Sequence, residues 1–149
     1  MSHMGKIYTI GFTGKSAEKF FLLLEENNIK GLIDVRLNNT SQMAAFTKKE
    51  DLKYFLKKIL FCNYTHRPDF APTDEILKKY KSKSINWTSY KEEYNRLLNT
   101  RNIISHIKKE NIIDNVFLCS EHNPEYCHRK LLAEYFQSNW NDIEIIHLL

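Results

Sequence analysis

The sequence predicts an α/β fold: a single three-layer domain with a mainly parallel central sheet flanked by helices. Short β-rich runs alternate with segments of helical periodicity along the chain. The first two runs, Lys6–Ile10 and Leu32–Arg36, enclose one helical segment, an arrangement typical of a parallel βαβ unit. The 149 residues, of which 42% are hydrophobic and 27% charged, are enough for one domain with one core.

The first half of the chain also predicts two helices and a third strand. Ser16 is a suitable N-cap for a helix that ends near Glu26 and carries apolar residues at helical spacing. A second helix is predicted around Lys49–Leu60, where apolar residues recur at the same spacing. The run Phe61–Thr65 is predicted as the next strand, and the prolines that follow it interrupt regular structure.

The second half continues the alternation of helices and strands. It predicts a short helix Asp74–Tyr80 capped by Thr73, a long helical region Trp87–Lys108, a strand Val116–Ser120, a helix from Asn123-Pro124 to about Gln137, and a last strand Ile143–Leu149. There is no internal repeat or linker, so one domain is expected over residues 4–149. Met1-Ser2-His3 has the composition of an expression scar.

The composition argues against a membrane-spanning or secreted protein and bears on the choice of partner. The longest purely apolar run, Phe20–Leu24, is too short to cross a membrane, and no signal peptide is evident. Three cysteines are an odd number, which points to free thiols and a cytoplasmic location. The net charge of +4 permits an anionic partner without requiring one, and the lysine clusters favour solvated helix faces over a nucleic-acid patch.

Polar residues follow the predicted strands at the points where they end. They are Gly11, Asp34, Arg36, His66 and Glu121. Because the carboxyl ends of parallel strands meet at one edge of the sheet, we expect these residues to surround one crevice. The loop after the fourth strand leads to the helix that carries Cys127, His128 and Arg129, which adds those residues to the expected site.

Cys127 is the first candidate nucleophile. In the first turn of its helix, the helix dipole and neighbouring Arg129 would lower the pKa of its thiol. The alternative is a core residue, because Cys127 is in register with Leu131 and Tyr135. Cys119 lies within an apolar strand and is predicted to be a buried, inert thiol.

The charged candidates each have two interpretations. Asp34 is a general base or substrate anchor, or else one half of a structural ion pair with Arg36. Glu121 is likewise a candidate general base or a partner in a structural ion pair, and Arg36 could hold an anion or serve the pair with Asp34. His66 and His128 could move a proton, although single histidines more often serve as ordinary polar residues.

The sequence does not match the motifs of two common sites, the phosphate-binding loop and the zinc site. The segment Gly11–Ser16 ends like a phosphate-binding loop, but Thr9 stands where that motif needs its first glycine. Backbone N–H groups at the start of the following helix could still hold an anion. Cys119, Cys127 and His128 match no standard zinc spacing, so no metal or other cofactor is expected, while a loose catalytic metal site stays open.

Several motifs together resemble the DUF488 family, an uncharacterised family of α/β domains. They are Thr9-Ile10-Gly11, Asp34-Val35-Arg36, Tyr64-Thr65-His66-Arg67-Pro68, Trp87-x-x-Tyr90 with Tyr94, and Leu118-Cys119-Ser120-Glu121 followed by Cys127-His128-Arg129. The resemblance covers Ile7 to about Phe136. Phe70-Ala71-Pro72-Thr73 departs from the Leu-Gly-Gly of many members. The resemblance implies the fold and one constellation of site residues, and it leaves the chemistry open.

Three functions are compatible with these residues. In the first, an enzyme acts on a nucleotide, nucleic acid or other phosphorylated substrate; Asp34, Glu121, Cys127 and His128 are catalytic, and Gly11, Arg36, His66, Arg129, Trp87 and Tyr90 bind the substrate. In the second, the same arginines and aromatic residues form a non-catalytic nucleic-acid or nucleotide binding module. The third is a rhodanese-like sulfur transfer in which Cys119 carries a persulfide. The sequence does not fix the oligomeric state.

Overall fold

Five parallel strands form the centre of the computed structural model, which describes residues 4–40 and 42–149. The strands are β1 (Gly5–Gly11), β2 (Gly31–Asp34), β3 (Asn63–His66), β4 (Asn115–Cys119) and β5 (Ile143–Leu148). Their order is β3-β2-β4-β1-β5, and every neighbouring pair is parallel. The proposed scar, Met1-Ser2-His3, lies outside the described residues.

Helices cover both faces of this sheet. The described residues form α1 (Ala17–Glu26), α2 (Lys49–Phe55, continued by a π-helical turn Leu56–Leu60), α3 (Asp74–Lys81), α4 (Trp87–Arg101), α5 (Ile103–His106) and α6 (His128–Asn139). The predicted three-layer α/β architecture is therefore confirmed. Among the described residues, no helix has both the length and the apolar character needed to cross a membrane.

Side-chain caps begin two helices where the sequence predicts them. The Ser16 hydroxyl accepts a hydrogen bond from the Lys19 N–H, and the Thr73 hydroxyl accepts one from the Ile76 N–H. The ends of two other elements differ from prediction. Phe61 is left-handed (φ 53°) and delays the third strand to Asn63, whereas Asn102 is left-handed (φ 52°) and divides the long helical region into α4 and α5.

The start of α6 is also different from prediction. Asn123 does act as a cap, but it caps a 3-10 turn, Pro124–Tyr126, and its side chain accepts from the Glu125 N–H at 2.9 Å. Cys127 is extended (φ −130°, ψ 141°) and is the N-cap residue of α6. The predicted helix from Asn123 is wrong, because this extended residue separates the turn from α6.

Each face of the sheet has its own core. Phe117 and Cys119 of β4 face the α4 and α6 side, while Leu118, between them, faces the α1 and α2 side with Phe20. This alternation is the ordinary consequence of a β-strand. It places the Cys119 side chain against the second half of the chain.

The topology also creates a crevice at the carboxyl edge. The connection from β1 passes over β4 to reach β2, while the connection from β4 passes over β1 to reach β5. The loops that leave these two neighbouring strands therefore diverge in opposite directions. Such a switch point is where open α/β sheets usually bind ligands.

Candidate functional site

A cavity of about 290 Å³ opens beside this crevice. Five of the expected site residues line it: Arg36, Tyr90, Glu121, Cys127 and His128. The lining also includes Tyr80, Lys81 and Tyr126, which were not expected to belong to the site, and Cys119, which was expected there only in the sulfur-transfer alternative.

Asp34 and Arg36 form a buried ion pair. The exposed fractions of the two side chains are 0% and 4%, and the Arg36 Nε and Nη2 groups donate to Asp34 Oδ1 and Oδ2, both at 2.8 Å. Arg36 Nη2 also donates to the backbone carbonyl of Thr47 at 2.6 Å. The guanidinium group lies 5.6 Å from the centre of the Phe12 ring. These contacts fix the position of the Arg36 side chain.

Two further side chains complete the surroundings of Asp34. The Tyr64 hydroxyl donates to Asp34 Oδ2 at 2.5 Å, and the Asn39 side-chain amide donates to the Tyr64 oxygen at 3.0 Å. Burial would raise the pKa of Asp34, but the hydrogen bonds and charge of Arg36 together with the Tyr64 hydrogen bond outweigh it and lower the pKa. Of the two interpretations of Asp34, the geometry favours the structural ion pair.

Arg129 is likewise enclosed by acceptors. It is fully buried, and its Nη1 and Nη2 groups donate to the carbonyl oxygens of Glu121 and His122, the latter at 2.9 Å. Its Nε donates to the Thr9 hydroxyl at 3.3 Å. Arg129 therefore holds the loop after β4 against β1.

Gly11 makes room for that loop. A Cβ atom at this position would overlap the carbonyl group of Glu121 and would lie 3.2 Å from Arg129 Nη1. The absence of a side chain is thus required by the close approach of two backbone segments.

Lys15, the lysine of the segment that resembles the end of a phosphate-binding loop, does not point its amino group to solvent. Its side chain is only 7% exposed, and Nζ donates to the Gly11 carbonyl at 2.8 Å and lies 3.2 Å from His122 Nδ1. Burial, with a smaller contribution from the nearby Arg129 charge, lowers the pKa of Lys15 to about 8. The lysine is turned inward toward its own strand.

The remaining expected residues lie at different depths. His66 Nε2 is 2.8 Å from the Arg36 carbonyl oxygen, beside the ion pair. Glu121 is exposed at the rim of the cavity. His128 is buried, and its Nε2 donates to the Val35 carbonyl oxygen at 2.7 Å, which ties α6 to the chain just beyond β2.

Two cysteines lie together at the inner end of the cavity. The exposed fractions are 7% for Cys119 and 3% for Cys127, and both residues line the cavity. The two sulfur atoms lie within 4.8 Å of each other. Interaction with the Cys127 thiol lowers the pKa of Cys119 against the opposing effect of burial, and the Arg129 and Arg36 charges lower it further. The same interaction, followed by burial, raises the pKa of Cys127 well above its ordinary value.

The lowered thiol pKa that was expected for Cys127 is therefore found at Cys119 instead. The predicted lowering of the Cys127 pKa is wrong, because the interaction with Cys119 and burial both raise it. Cys119 was predicted to be inert because its strand is apolar. Only the rhodanese-like alternative gave Cys119 a role, from its place near the end of a strand, and Cys119 is the last residue of β4 at the carboxyl edge.

The side chains of Cys119, Cys127 and His128 offer three potential metal-ligand atoms within 4.8 Å of one another. The orientation of the imidazole does not suit a metal. Cys119 Sγ is 3.8 Å from Nδ1 and 4.0 Å from Nε2 of His128, so it is nearly equidistant from both nitrogens and lies off the direction of either lone pair. Nε2 already donates to the Val35 carbonyl. A tetrahedral metal site would require the ring to turn.

Aromatic side chains form one side of the cavity. Tyr90 stacks on Trp87 with ring centroids 5.2 Å apart, and Tyr80 lies 4.7 Å from Tyr90. Tyr126 meets the edge of Trp87 at 5.5 Å and is 62% exposed. Trp87 therefore supports the wall from behind, and the three tyrosines face the cavity.

Comparison with known proteins identifies the family. The family model described as "Domain of unknown function DUF488" matches residues 16–136. The chain belongs to this family. The resemblance drawn from the motifs is thus confirmed. No curated protein and no solved structure matches the chain significantly.

The motif residues on which the sequence resemblance rested divide into two groups in this structure. Asp34, Arg36 and Arg129 make internal contacts that fix the strands and the loop after β4. Cys119 and Cys127 face the cavity. Since the family description names no activity, the function has to be inferred from this second group.

Proposed function

We propose that this protein is an enzyme whose nucleophile is the Cys119 thiolate, acting on a small molecule that binds in the cavity. The observation that carries the proposal is the placement of a thiol of lowered pKa on the cavity wall at the carboxyl end of the central strand β4. The thiolate is the reactive form of cysteine, so a lowered pKa increases the reactive fraction near neutral pH.

Three groups support the thiolate. The neighbouring Cys127 thiol and the guanidinium charges of Arg129 and Arg36 all lower the pKa of Cys119. Both arginines are held in place by other acceptors, so they supply charge from fixed positions. Such fixed charge costs no rearrangement when the thiolate forms.

The walls of the cavity indicate the substrate class. Tyr80, Tyr90 and Tyr126 offer ring faces and hydroxyl groups, and Lys81 adds an exposed positive charge. A planar ring that carries an anionic group, as in a nucleotide, is complementary to this combination. Lys81 replaces Arg36 and Arg129 as the proposed anion-binding residue, because the arginines donate to internal acceptors.

The size of the cavity disfavours a nucleic-acid binding module. About 290 Å³ is at the lower end of small-molecule sites. A strand of nucleic acid would need a groove with several stacking positions. The proposed location is the cytoplasm, where thiols stay reduced.

Sulfur transfer is a second candidate, favoured by the position of Cys119 at the end of its strand. Attack of the thiolate on the outer sulfur of thiosulfate would release sulfite and leave a persulfide on Cys119. A mass gain of one sulfur atom on the Cys119 peptide after treatment with thiosulfate would support this reaction. An unchanged peptide mass would exclude it for this donor.

The proposal is tested by alkylation of the cysteines as a function of pH, followed by peptide mass spectrometry. A thiol labels faster as pH rises through its pKa. We expect the Cys119 midpoint below 9.0, its ordinary value, and the midpoint of buried Cys62, the internal control, near 11. Protection of Cys119 by adenosine or guanosine monophosphate would support the substrate class. Labelling of Cys119 no faster than that of Cys62 at neutral pH would overturn the nucleophile.

A further inference from the structure

The two cavity cysteines are close enough to act together. Their sulfur atoms belong to a group of ligand atoms that lie within 4.8 Å of one another, and each thiol is the first cause of the shifted pKa of the other. Both cysteines line the cavity, whereas Cys62 lies in the core on the opposite face of the sheet. A molecule that reacts with Cys119 would therefore have Cys127 beside it and Cys62 out of reach.

The backbone positions of the two cysteines are fixed independently. Cys119 ends β4, and Cys127 is the extended N-cap residue of α6. Arg129 holds the intervening loop against β1 through the carbonyl of Glu121, and Gly11 leaves the space that this close approach requires. Joining the two sulfur atoms would therefore depend mainly on rotation of two short side chains.

We propose that Cys119 and Cys127 form a dithiol pair that reduces a low-molecular-weight disulfide, with Cys119 as the attacking and Cys127 as the resolving cysteine. This inference rests on the proposed nucleophilic role of Cys119 and adds a second residue and a substrate class. The aromatic wall and Lys81 favour a disulfide that carries a planar ring and an anionic group.

The reaction proceeds in two exchanges. The Cys119 thiolate attacks one sulfur of the disulfide, which forms a mixed disulfide and releases the first thiolate. Cys127 then attacks Cys119 Sγ, which forms the Cys119–Cys127 disulfide and releases the second half as a thiol that takes the Cys127 proton. The substrate disulfide gains two electrons and the protein dithiol loses two.

The interaction between Cys119 and Cys127 sets the order of the two thiol–disulfide exchanges. The contact with Cys119 is the largest cause of the raised pKa of Cys127, so Cys127 stays protonated while Cys119 is a thiolate. The mixed disulfide removes that negative charge. The Cys127 thiol then loses its proton more readily, at the stage when it is needed as a nucleophile.

The test uses dithiobis(nitrobenzoic acid), an aromatic, anionic disulfide that releases a coloured thiolate. We expect the full-length protein to release two thiolates per chain and to yield a Cys119–Cys127 disulfide peptide without an adduct. The Cys127→Ser variant should release one thiolate and retain the mixed disulfide on Cys119. Cys62 should remain unmodified in both proteins and serves as the control.

The possible results separate this inference from the proposed function. A wild-type protein that keeps a stable mixed disulfide on Cys119 would overturn the role of Cys127 and leave the nucleophile in place. No reaction at Cys119 would overturn both. If Cys127→Ser does not fold, the kinetics of the wild type decide: a second release phase that does not depend on reagent concentration supports resolution by Cys127, and its absence contradicts it.

Discussion

The carboxyl edge of the sheet contains two regions that use polar residues in opposite ways. In the ionic region, Asp34, Arg36 and Arg129 are buried and make hydrogen bonds to other parts of the chain. In the thiol region, the sulfur atoms of Cys119 and Cys127 lie within 4.8 Å of each other and both residues line a cavity. Charged residues at the carboxyl edge can therefore serve the fold, while a cysteine of the neighbouring apolar strand lines the cavity that we propose as the active site.

Physical chemistry explains this division. A buried charge has to be paired and hydrogen bonded, and the partners that satisfy it also hold it still. Arg36 and Arg129 are thus poorly suited to bind a substrate anion directly. Their charges still act at a distance, since both lower the pKa of Cys119.

The largest expected effect comes from breaking the buried ion pair. Asp34→Ala would leave Arg36 as an uncompensated buried charge, and it should lower the free energy of unfolding by about 3–5 kcal/mol. The control is Asp69→Ala, which removes the carboxylate of a more exposed pair with Arg67 (2.7 Å) and should cost less than about 1 kcal/mol. Urea denaturation of both variants measures the difference.

The dependence on pH gives a second measure of the same pair. Because the pKa of Asp34 is lowered in the folded protein, its contribution to stability is complete above the ordinary value of 3.8 and is lost as pH falls through the folded value. The stability difference between the wild type and Asp34→Ala should therefore shrink only in acid below that value. Equal stability of the two proteins at neutral pH would contradict a structural role.

A smaller effect is expected where the two regions meet. Gly11→Ala would force the loop after β4 away from β1, at a cost of about 3 kcal/mol, the upper end of ordinary overpacking. It should also slow alkylation of Cys119, because Arg129 is anchored to that loop. Gly14→Ala is the matched control: it meets no atom within 4 Å, and its positive φ costs about 1 kcal/mol. Unchanged Cys119 labelling in Gly11→Ala would show that the loop does not support the thiolate.

Local sequence signals were sufficient for most of the fold. The hydroxyls of Ser16 and Thr73 cap helices as predicted, since a cap depends on residues three positions apart. The division between α4 and α5 was missed, because it depends on a left-handed conformation at Asn102. Asparagine adopts this conformation more readily than most residues and sometimes ends a helix, so Asn102 was the available signal, but the apolar residues that continue beyond it favoured one long helix.

The site was less predictable because its contacts are distant in sequence. Tyr64 lies thirty positions from Asp34, so the sequence could not show that this carboxylate is fully occupied. Cys119 and Cys127 are closer, but the contact between them depends on the turn at Pro124–Tyr126 and on the extended Cys127. The sequence predicted that both cysteines lie near the carboxyl edge of the sheet. Their different roles depend on contacts that only the structure shows.

The smallest expected effects separate two neighbouring tyrosines of α4. The Tyr94 hydroxyl donates to the buried Phe70 carbonyl at 2.6 Å, so Tyr94→Phe should cost about 1–2 kcal/mol of stability. Among the described residues, the Tyr90 hydroxyl has no hydrogen-bond partner, and Tyr90 lines the cavity. Tyr90→Phe should therefore leave stability nearly unchanged and weaken protection of Cys119 by a nucleotide about fivefold, the loss of roughly 1 kcal/mol. Denaturation and protected alkylation of both variants measure the two quantities. Tyr94→Phe is expected to change only stability, and Tyr90→Phe only the protection of Cys119. A loss of stability in Tyr90→Phe and a loss of protection in Tyr94→Phe would instead assign Tyr90 to the core and Tyr94 to the site.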